Sequence, residues 1–200
     1  MEMNFNGAKT YILQKLKDEL SNNLYYHGLH HTLDVYNAAI IISEEEEISE
    51  PDRIILFTAA LFHDSGFIKQ YTNNETIAVA LVEEVLPTFE YSDNQIAAIS
   101  RIILSTGISV PPINTLECIM CDADHDYFGR SDYHVIANSL FRELAEYGRS
   151  MNEVEWTEQQ IEFLDTRHEF YTKTSISTRV PRKKQNIEEL KTRLLRLKSQ

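Results

Sequence analysis

Helix-capping pairs recur along this chain, each in front of a segment whose apolar residues are spaced three and four apart. In these pairs a Ser, Thr or Asn is followed three residues later by Glu or Gln, which satisfies the free backbone N–H groups at a helix start. The pairs are Ser92 with Gln95, Asn114 with Glu117, Thr157 with Gln160, and Asn186 with Glu189. With only 6 Gly and 5 Pro, the chain is poor in the residues that turn-rich all-β folds need. The sequence therefore predicts an all-α fold, a compact multi-helix bundle.

The same periodicity and its interruptions predict nine helices. Pro51, in a first turn, and Gly66, after a last turn, bound the third of them. We expect helices near residues 9–20, 30–47, 51–64, 74–86, 92–105, 114–127, 132–147, 157–171 and 186–198. No internal repeat and no Gly- or Ser-rich linker divides the chain. We therefore expect a single domain over residues 1–200, with a core of about 25–171 and a C-terminal helix over 186–198.

The C-terminal helix carries an apolar stripe with steps of three and four residues. Its members are Ile187, Leu190, Leu194 and Leu197. The stripe could pack on the bundle or form a short seam in a homodimer. Fewer than three heptads is short for a coiled coil, so packing on the bundle is the preferred interpretation.

The net charge of the chain restricts its partners. There are 31 acidic and 19 basic residues, which gives a net charge of -12 with His neutral. This field repels nucleic acid polymers and anionic membranes, so we expect neither as a partner. A small phosphorylated molecule could bind only where a cation reverses the local potential. Because no apolar run reaches the roughly 18 residues of a membrane span and the N-terminus lacks a signal sequence, we expect a soluble, cytoplasmic protein.

The two cysteines, Cys118 and Cys121, form a lone C-x-x-C among apolar neighbours. Without a second pair, this pattern favours buried helix cysteines over a zinc or redox site.

Histidines and aspartates in three segments have the composition of a metal site. His63 and Asp64 end a run of Ile, Leu, Phe and Ala, where burying both is costly without a partner. Gly66 puts this pair in a last helical turn, where the helix dipole favours a cation. With His31 and Asp124, the set offers two imidazole nitrogens and two carboxylate oxygens. Such a set suits one divalent ion of Mn, Fe, Co, Ni or Zn, which would activate a water and polarise a phosphoryl oxygen.

The order H…HD…D resembles that of the HD-domain metal-dependent phosphohydrolases. The matching segments are HTLDV, which opens on His31, LFHDSGF, which contains His63 and Asp64, and CDADHDYFGR. The resemblance spans roughly residues 25–171. It implies a helical bundle that holds one or two metals and hydrolyses phosphomonoesters or phosphodiesters, often of nucleotides. His31, His63 and Asp64 match the first three ligands of the family, and we count Asp64 as catalytic as well.

The resemblance also implies the fourth ligand and the number of metals. An Ala-Asp pair is common at that position, so Asp124 is the preferred ligand and Asp122 the alternative. Asp122 or Asp126 could instead hydrogen-bond a ligand histidine. Members with two metals carry further histidines between the HD pair and the last aspartate, whereas this chain has none from residue 65 to 124. A single metal is therefore expected.

Candidate groups for substrate follow from the same resemblance. The Tyr26-His27 start is similar to that of cyclic nucleotide phosphodiesterases, where the first histidine protonates the leaving oxygen. This makes His27 a catalytic candidate, with a solvent-exposed histidine at a helix start as the alternative. Many members have a lysine after the HD-x-G segment, where this chain has Phe. Lys69 could replace that lysine and is a predicted substrate-binding cation. Arg130 is the other, because it directly follows the helix of the metal-binding aspartate, with a surface ion pair as the alternative. Arg101 is expected in a surface ion pair.

Together these features predict a metal-dependent phosphohydrolase acting on a small, nucleotide-like phosphate ester through a metal-activated water. The main alternative is a regulatory helical module that binds metal and nucleotide without turnover. A dimerisation domain built on the C-terminal stripe is the third interpretation.

Overall fold

Amphipathic segments form α-helices throughout the residues that the computed structural model describes, which are 3–107 and 110–199. The helices are α1 (Phe5–Glu19), α2 (Leu29–Glu45), α3 (Glu50–Phe62), α4 (Asn74–Val85), α5 (Asp93–Leu104), α6 (Thr115–Asp124), α7 (Tyr133–Glu146), α8 (Glu153–Glu162) and α9 (Lys173–Lys198). Short 3₁₀ turns cover Ser65–Ile68, Leu86–Phe89 and Asp126–Gly129, and a π turn covers Phe163–Arg167. These two ranges contain no strand, so the all-α prediction is confirmed.

Several predicted helix starts have the expected chemistry. Ser92 and Gln95 form a capping box at α5. The Asn114 side chain accepts a hydrogen bond from the backbone of Glu117 at α6. Ser49 caps α3, with Pro51 in the first turn. Short-range signals therefore locate these helix ends to within one or two residues.

Three helices begin earlier than predicted. α1 begins at Phe5 rather than near residue 9, because the Asn4 side chain accepts a hydrogen bond from the Gly7 amide. α8 begins four residues before Thr157, because Asn152 and Glu155 form the capping box there. α9 begins at Lys173 rather than at residue 186 and continues through Pro181. A proline inside a helix removes one hydrogen bond and costs roughly 3 kcal/mol. The start of α9 is held by contacts from a distant segment, described below, which no local pattern reveals.

Two apolar clusters form the core of the described residues. The first joins α1 to α6, and the second joins α7 to α9 with residues that follow α6. In the second cluster, Ile187 and Leu190 are 5% and 0% exposed, which confirms that the C-terminal stripe packs on the bundle at these two positions. α2 packs against both α3 and α6, so one end of each helix converges on the same region.

The two cysteines both lie in α6 and form no disulfide. Cys121 is buried, and its thiol donates a hydrogen bond to the Ser105 carbonyl at 3.2 Å, while Cys118 is half-buried. None of the helices in the described ranges combines the length and the apolar character that crossing a bilayer requires.

Candidate metal centre

The ends of α2, α3 and α6 bring the predicted ligands together. His31 is the third residue of α2, His63 and Asp64 follow the last residue of α3, and Asp124 ends α6. The chain leaves α3 through the 3₁₀ turn at Ser65–Ile68, where Gly66 lies against the first turn of α4. A Cβ atom at this glycine would stand 2.0 Å from the Asn74 carbonyl oxygen, so the close approach requires glycine.

The ligand atoms of these residues face one point. The Nε2 atom of His31 lies 3.1 Å from Asp124 Oδ1 and 3.4 Å from Asp64 Oδ2. The Nε2 atom of His63 lies 3.1 Å from Asp64 Oδ2 and 3.6 Å from Asp124 Oδ1. His31, His63 and Asp124 each offer an atom within 4.8 Å of the others, which is compatible with a shared metal ion. The side chains of His31, His63 and Asp64 are 6%, 1% and 9% exposed, so they have little access to water.

The electrostatics of this cluster favour a positive charge at its centre. Burial opposes charge on His63, but the Asp64 and Asp124 carboxylates outweigh burial and raise the His63 pKa well above its ordinary value. Burial likewise disfavours the charged Asp124, yet its bond with His31 and the nearby His63 imidazole hold the Asp124 pKa well below the usual range. The pKa of Asp64 is lowered too, against its burial, chiefly by the charge of His63. A cation could take the place of the proton that the imidazoles otherwise hold.

The hydrogen-bonding state of these residues fits a metal ion. The Nδ1 atom of His63 lies 2.8 Å from the Ala60 carbonyl oxygen, so in the neutral imidazole Nδ1 carries the proton and Nε2 has a lone pair for a metal ion. Among the described residues, the buried His63 Nε2 and Asp64 Oδ2 atoms form no hydrogen bond, although they lie 3.1 Å apart. Buried polar atoms without partners are rare and call for a ligand or an ion. Two nitrogens and two oxygens suit a divalent transition metal.

The structure distinguishes the three aspartates of the CDADHD segment. Asp124 faces His31 and His63, whereas Asp122 accepts hydrogen bonds from the Tyr171 and Thr172 amides, both at 2.8 Å. Asp122 also accepts a bond from the Thr172 hydroxyl at 2.7 Å, so it anchors the start of α9. Asp126 instead accepts a hydrogen bond from Arg179 at 2.6 Å. Neither Asp122 nor Asp126 hydrogen-bonds a histidine of the cluster, contrary to the alternative expected from the sequence.

The segment that lacks extra histidines contributes a different polar group. Asn74, at the start of α4, donates a hydrogen bond from Nδ2 to Asp64 Oδ1 at 3.2 Å. This bond orients Asp64 so that its other oxygen faces the two histidines. The single metal expected from the sequence stays a prediction, supported by the one ligand group found among the described residues.

His27 lies beside the cluster, in the loop that precedes α2 rather than in a helix. Its ring stacks on Phe67, with centroids 4.1 Å apart, and its centroid is 5.9 Å from that of His31. The His27 Nδ1 atom forms a short hydrogen bond with Glu143 Oε1. The ring is therefore held in place from one side, and Nε2 is the nitrogen that remains for chemistry.

Glu143, which the sequence analysis missed, is the centre of this arrangement. Its side chain is fully buried in α7 and accepts bonds from the backbone amides of Tyr26 and His27 at 2.7 and 3.0 Å. The Tyr71 hydroxyl donates to it at 2.9 Å. Burial alone would raise the Glu143 pKa, but the bonds from His27 and the two amides lower it. The sequence signal that could have identified Glu143 is its position on the apolar face of α7, between Leu140 and Leu144.

A cavity of about 660 Å³ opens next to the cluster. His27, Asp64 and Asp124 line it, and most of its wall is aromatic or aliphatic. α7, α8, the 3₁₀ turn after α6 and the π turn after α8 contribute this wall, which includes Tyr127, Phe128, Tyr133, Leu140, Leu144, Trp156, Phe163 and Leu164. A cavity of this size holds a small molecule of nucleotide dimensions.

The structure does not bring the two predicted substrate-binding cations into this cavity. Lys69 is exposed at the end of the 3₁₀ turn, and it does not line the cavity. Arg130 donates to both oxygens of Asp34 at 2.8 Å and also pairs with Asp132 at 2.7 Å, which leaves no free donor face for substrate. Arg101 pairs with Glu117 at 3.1 Å, as expected for an ion pair.

Comparison with known proteins identifies the family. The model of the HD domain matches residues 28–127, half of the chain. The matched segment contains His31, His63, Asp64 and Asp124. The chain belongs to the HD-domain family. No curated protein and no solved structure matches it.

Membership in the HD-domain family establishes the chemistry at a general level. HD domains bind divalent metals, and the superfamily consists mostly of metal-dependent hydrolases. His27 and Glu143 both lie outside the matched residues, so their pairing is a feature of this chain that the match does not cover.

Proposed function

We propose that this HD-domain protein is a phosphohydrolase that cleaves a phosphomonoester or phosphodiester of a small, nucleotide-like molecule. The observation that carries the proposal is the convergence of four ligand groups beside a cavity, three of them buried and Asp124 half-buried. Two of their buried atoms, His63 Nε2 and Asp64 Oδ2, make no hydrogen bond. The aromatic wall and the volume of the cavity support an organic ester rather than a bare phosphate.

The proposed ligands are His31, His63, Asp64 and Asp124, and they would hold one divalent ion of Mn, Fe, Co, Ni or Zn. Such an ion supplies Lewis-acid chemistry, which lowers the pKa of a water molecule and polarises a phosphoryl oxygen. Asp64 belongs to the ligand cluster and also lines the cavity. The hydrogen bond from Asn74 fixes the direction of its carboxylate. We assign Asp64 the additional role of orienting the attacking water towards phosphorus.

His27 is the proposed general acid. Hydrolysis adds water across the ester bond: the attacking water loses a proton, and the leaving oxygen gains one. His27 Nε2 would supply that proton, while the Glu143 carboxylate holds the Nδ1 side and stabilises the charged imidazole. Tyr71 and the two backbone amides keep Glu143 in position, so Glu143 acts through His27 and touches no substrate.

The test combines metal analysis with an assay for phosphate release. Protein purified without chelator or His tag should contain about one equivalent of a transition metal, and added Mn²⁺ should support hydrolysis of phosphate esters. His63→Ala and Asp64→Ala should lose the metal and the activity while keeping their helical circular dichroism. The matched control is His30→Ala, because His30 is adjacent to His31 but exposed.

Three results would contradict the proposal. They are activity that persists in chelator, activity that persists in both ligand variants, and a nucleotide that raises the melting temperature without being consumed. The last result would support the regulatory binding module instead.

A further inference from the structure

The cavity has two arginines at its opening, although the protein as a whole carries a net charge of -12. Arg149 and Arg167 both line the cavity and both are exposed. Neither was a candidate from the sequence, since they lie 18 residues apart in segments without a motif.

A helix-ending turn fixes the backbone of Arg149 at the cavity. Gly148 has a φ of 78°, a left-handed conformation that favours glycine. The Arg149 amide donates to the Leu144 carbonyl at 2.8 Å, and the Gly148 amide donates to the Ala145 carbonyl at 3.3 Å. This pair of bonds is the Schellman arrangement, which holds the residue after the glycine in a defined place. Arg149 lines the cavity together with His27 and Tyr71, and the Tyr71 hydroxyl donates to Glu143.

A π turn places Arg167 at the cavity as well. The turn closes with a hydrogen bond from the His168 amide to the Phe163 carbonyl at 2.9 Å, and Arg167 is its last residue. π turns are rare and often occur at functional sites. The Arg167 guanidinium lies 5.7 Å from the centre of the Phe163 ring, and that ring is 6.2 Å from His125, the neighbour of Asp124.

Both guanidiniums lack a carboxylate partner. Within residues 3–107 and 110–199, no Asp or Glu oxygen lies within 4.0 Å of either one, whereas several other arginines form such pairs. The paired arginines are Arg101, Arg130, Arg179, Arg182 and Arg193. Glu75 and Glu162 also line the cavity, yet neither pairs with Arg149 or Arg167. A ring face does not neutralise a guanidinium, so both positive charges stay available to an anion.

We infer that Arg149 and Arg167 bind a second anionic group of the substrate, separate from the phosphate at the His and Asp cluster. The difference in exposure carries the inference: the cluster residues His31 and His63 are 6% and 1% exposed, whereas the two arginines that line the same cavity are exposed to solvent. A phosphate at the cluster leaves the arginines to a more distant carboxylate or phosphate on the same molecule. The substrate class is therefore an organic phosphate with two anionic ends. This inference rests on the proposed function, since the cluster must hold the first phosphate.

Non-hydrolysable phosphonates test the inference by calorimetric titration of the Mn²⁺-loaded full chain. The two-ended probes are phosphonoacetate, 3-phosphonopropionate and 4-phosphonobutyrate, and the one-ended probe is butylphosphonate. At least one two-ended probe should bind about tenfold or more tightly than butylphosphonate, because hydrogen bonds to charged groups are the strong ones. Arg149→Gln and Arg167→Gln should each remove most of this advantage and leave butylphosphonate affinity and metal content unchanged.

The control variant is Arg196→Gln, an exposed arginine in α9 that does not line the cavity. It changes the net charge by the same amount and should alter no affinity by more than about twofold. The inference is overturned, with the proposed function intact, in two cases. One is that butylphosphonate binds but no two-ended probe binds more tightly, and the other is that both arginine variants weaken all four probes equally. Failure of every probe to bind the Mn²⁺-loaded protein would contradict the proposed function and the inference together.

Discussion

Replacing Glu143 by glutamine should disturb His27 without removing any proposed metal ligand. Each Glu143 oxygen serves two donors: Oε1 meets the His27 ring and the Tyr71 hydroxyl, and Oε2 meets the amides of Tyr26 and His27. A glutamine has only one oxygen, so its NH₂ group must face one of these pairs. The amides cannot adapt, whereas the hydroxyl can rotate and the imidazole can change tautomer. The NH₂ group should therefore face His27 and Tyr71.

The size of the effect follows from this rearrangement. The bonds of His27 and Tyr71 with the carboxylate become bonds with the neutral NH₂ group of the glutamine. The amides of Tyr26 and His27 still donate to an oxygen, but this oxygen no longer belongs to a charged group. Since bonds to charged groups exceed neutral ones by about 1 kcal/mol, Glu143→Gln should lower the free energy of unfolding by about 2–4 kcal/mol. Loss of the carboxylate that stabilises the protonated imidazole should lower kcat by about 100-fold or more, within the range for general acids.

Urea denaturation, metal analysis and kinetics together decide this prediction. Metal content should stay that of the wild type, and kcat should fall far more than KM rises, a split that destabilisation alone does not produce. The matched control is Glu146→Gln, an exposed residue of the same helix, which should change stability by less than about 0.5 kcal/mol. If Glu143→Gln matched that control in stability and kcat, the role given to Glu143 would be refuted.

Three further predictions concern residues around the site. Asp122→Asn should cost about 1–3 kcal/mol of unfolding free energy by weakening the anchor of α9, with metal content unchanged; loss of the metal would contradict the distinction from Asp124. Gly66→Ala should cost about 1–3 kcal/mol and weaken Mn²⁺ binding, because a Cβ there displaces Asn74, which orients Asp64; a variant with wild-type melting and titration would rule this out. Burial lowers the pKa of His168 from 6.5 to about 2. Below pH 6.5 the imidazole is therefore protonated in the unfolded chain while it stays neutral in the folded protein. The free energy of unfolding that this residue contributes above pH 6.5 is lost as the pH falls towards 2. The loss at pH 5 should be about 2 kcal/mol, measured by urea denaturation at pH 7.5 and 5, and His168→Phe should flatten it; equal pH dependence in both proteins would count against this origin.

The pairings within the CDADHD segment show where prediction from sequence ends. The sequence offered both Asp122 and Asp124 as ligands, because two residues on one helix differ by about 200° in direction and only the packing of that helix selects between them. Packing of α6 against α2 turns Asp124 towards the histidines, while Asp122 meets the start of α9. The same long-range contact explains why α9 begins thirteen residues before its predicted start.

The cations of the cavity illustrate the same limit. Lys69 and Arg130 were chosen for their nearness in sequence to the metal residues, and both lie outside the cavity. Arg130 instead forms an ion pair with Asp34, which lies 96 positions away, so no local pattern reveals this partner. Arg149 and Arg167 have no distinguishing motif and line the cavity only because α7 and α8 end there.

Helix content, most helix starts and the residue types of the metal centre were determined by the sequence itself. Capping bonds and apolar periodicity act between residues a few positions apart, so they can be recognised in a linear sequence. The partners of His27, the choice of Asp124 and the charges at the cavity opening were decided by the tertiary structure alone. Each of these three features depends on segments that are far apart in the chain. The relative placement of those segments depends on the sum of many packing contacts rather than on any local pattern.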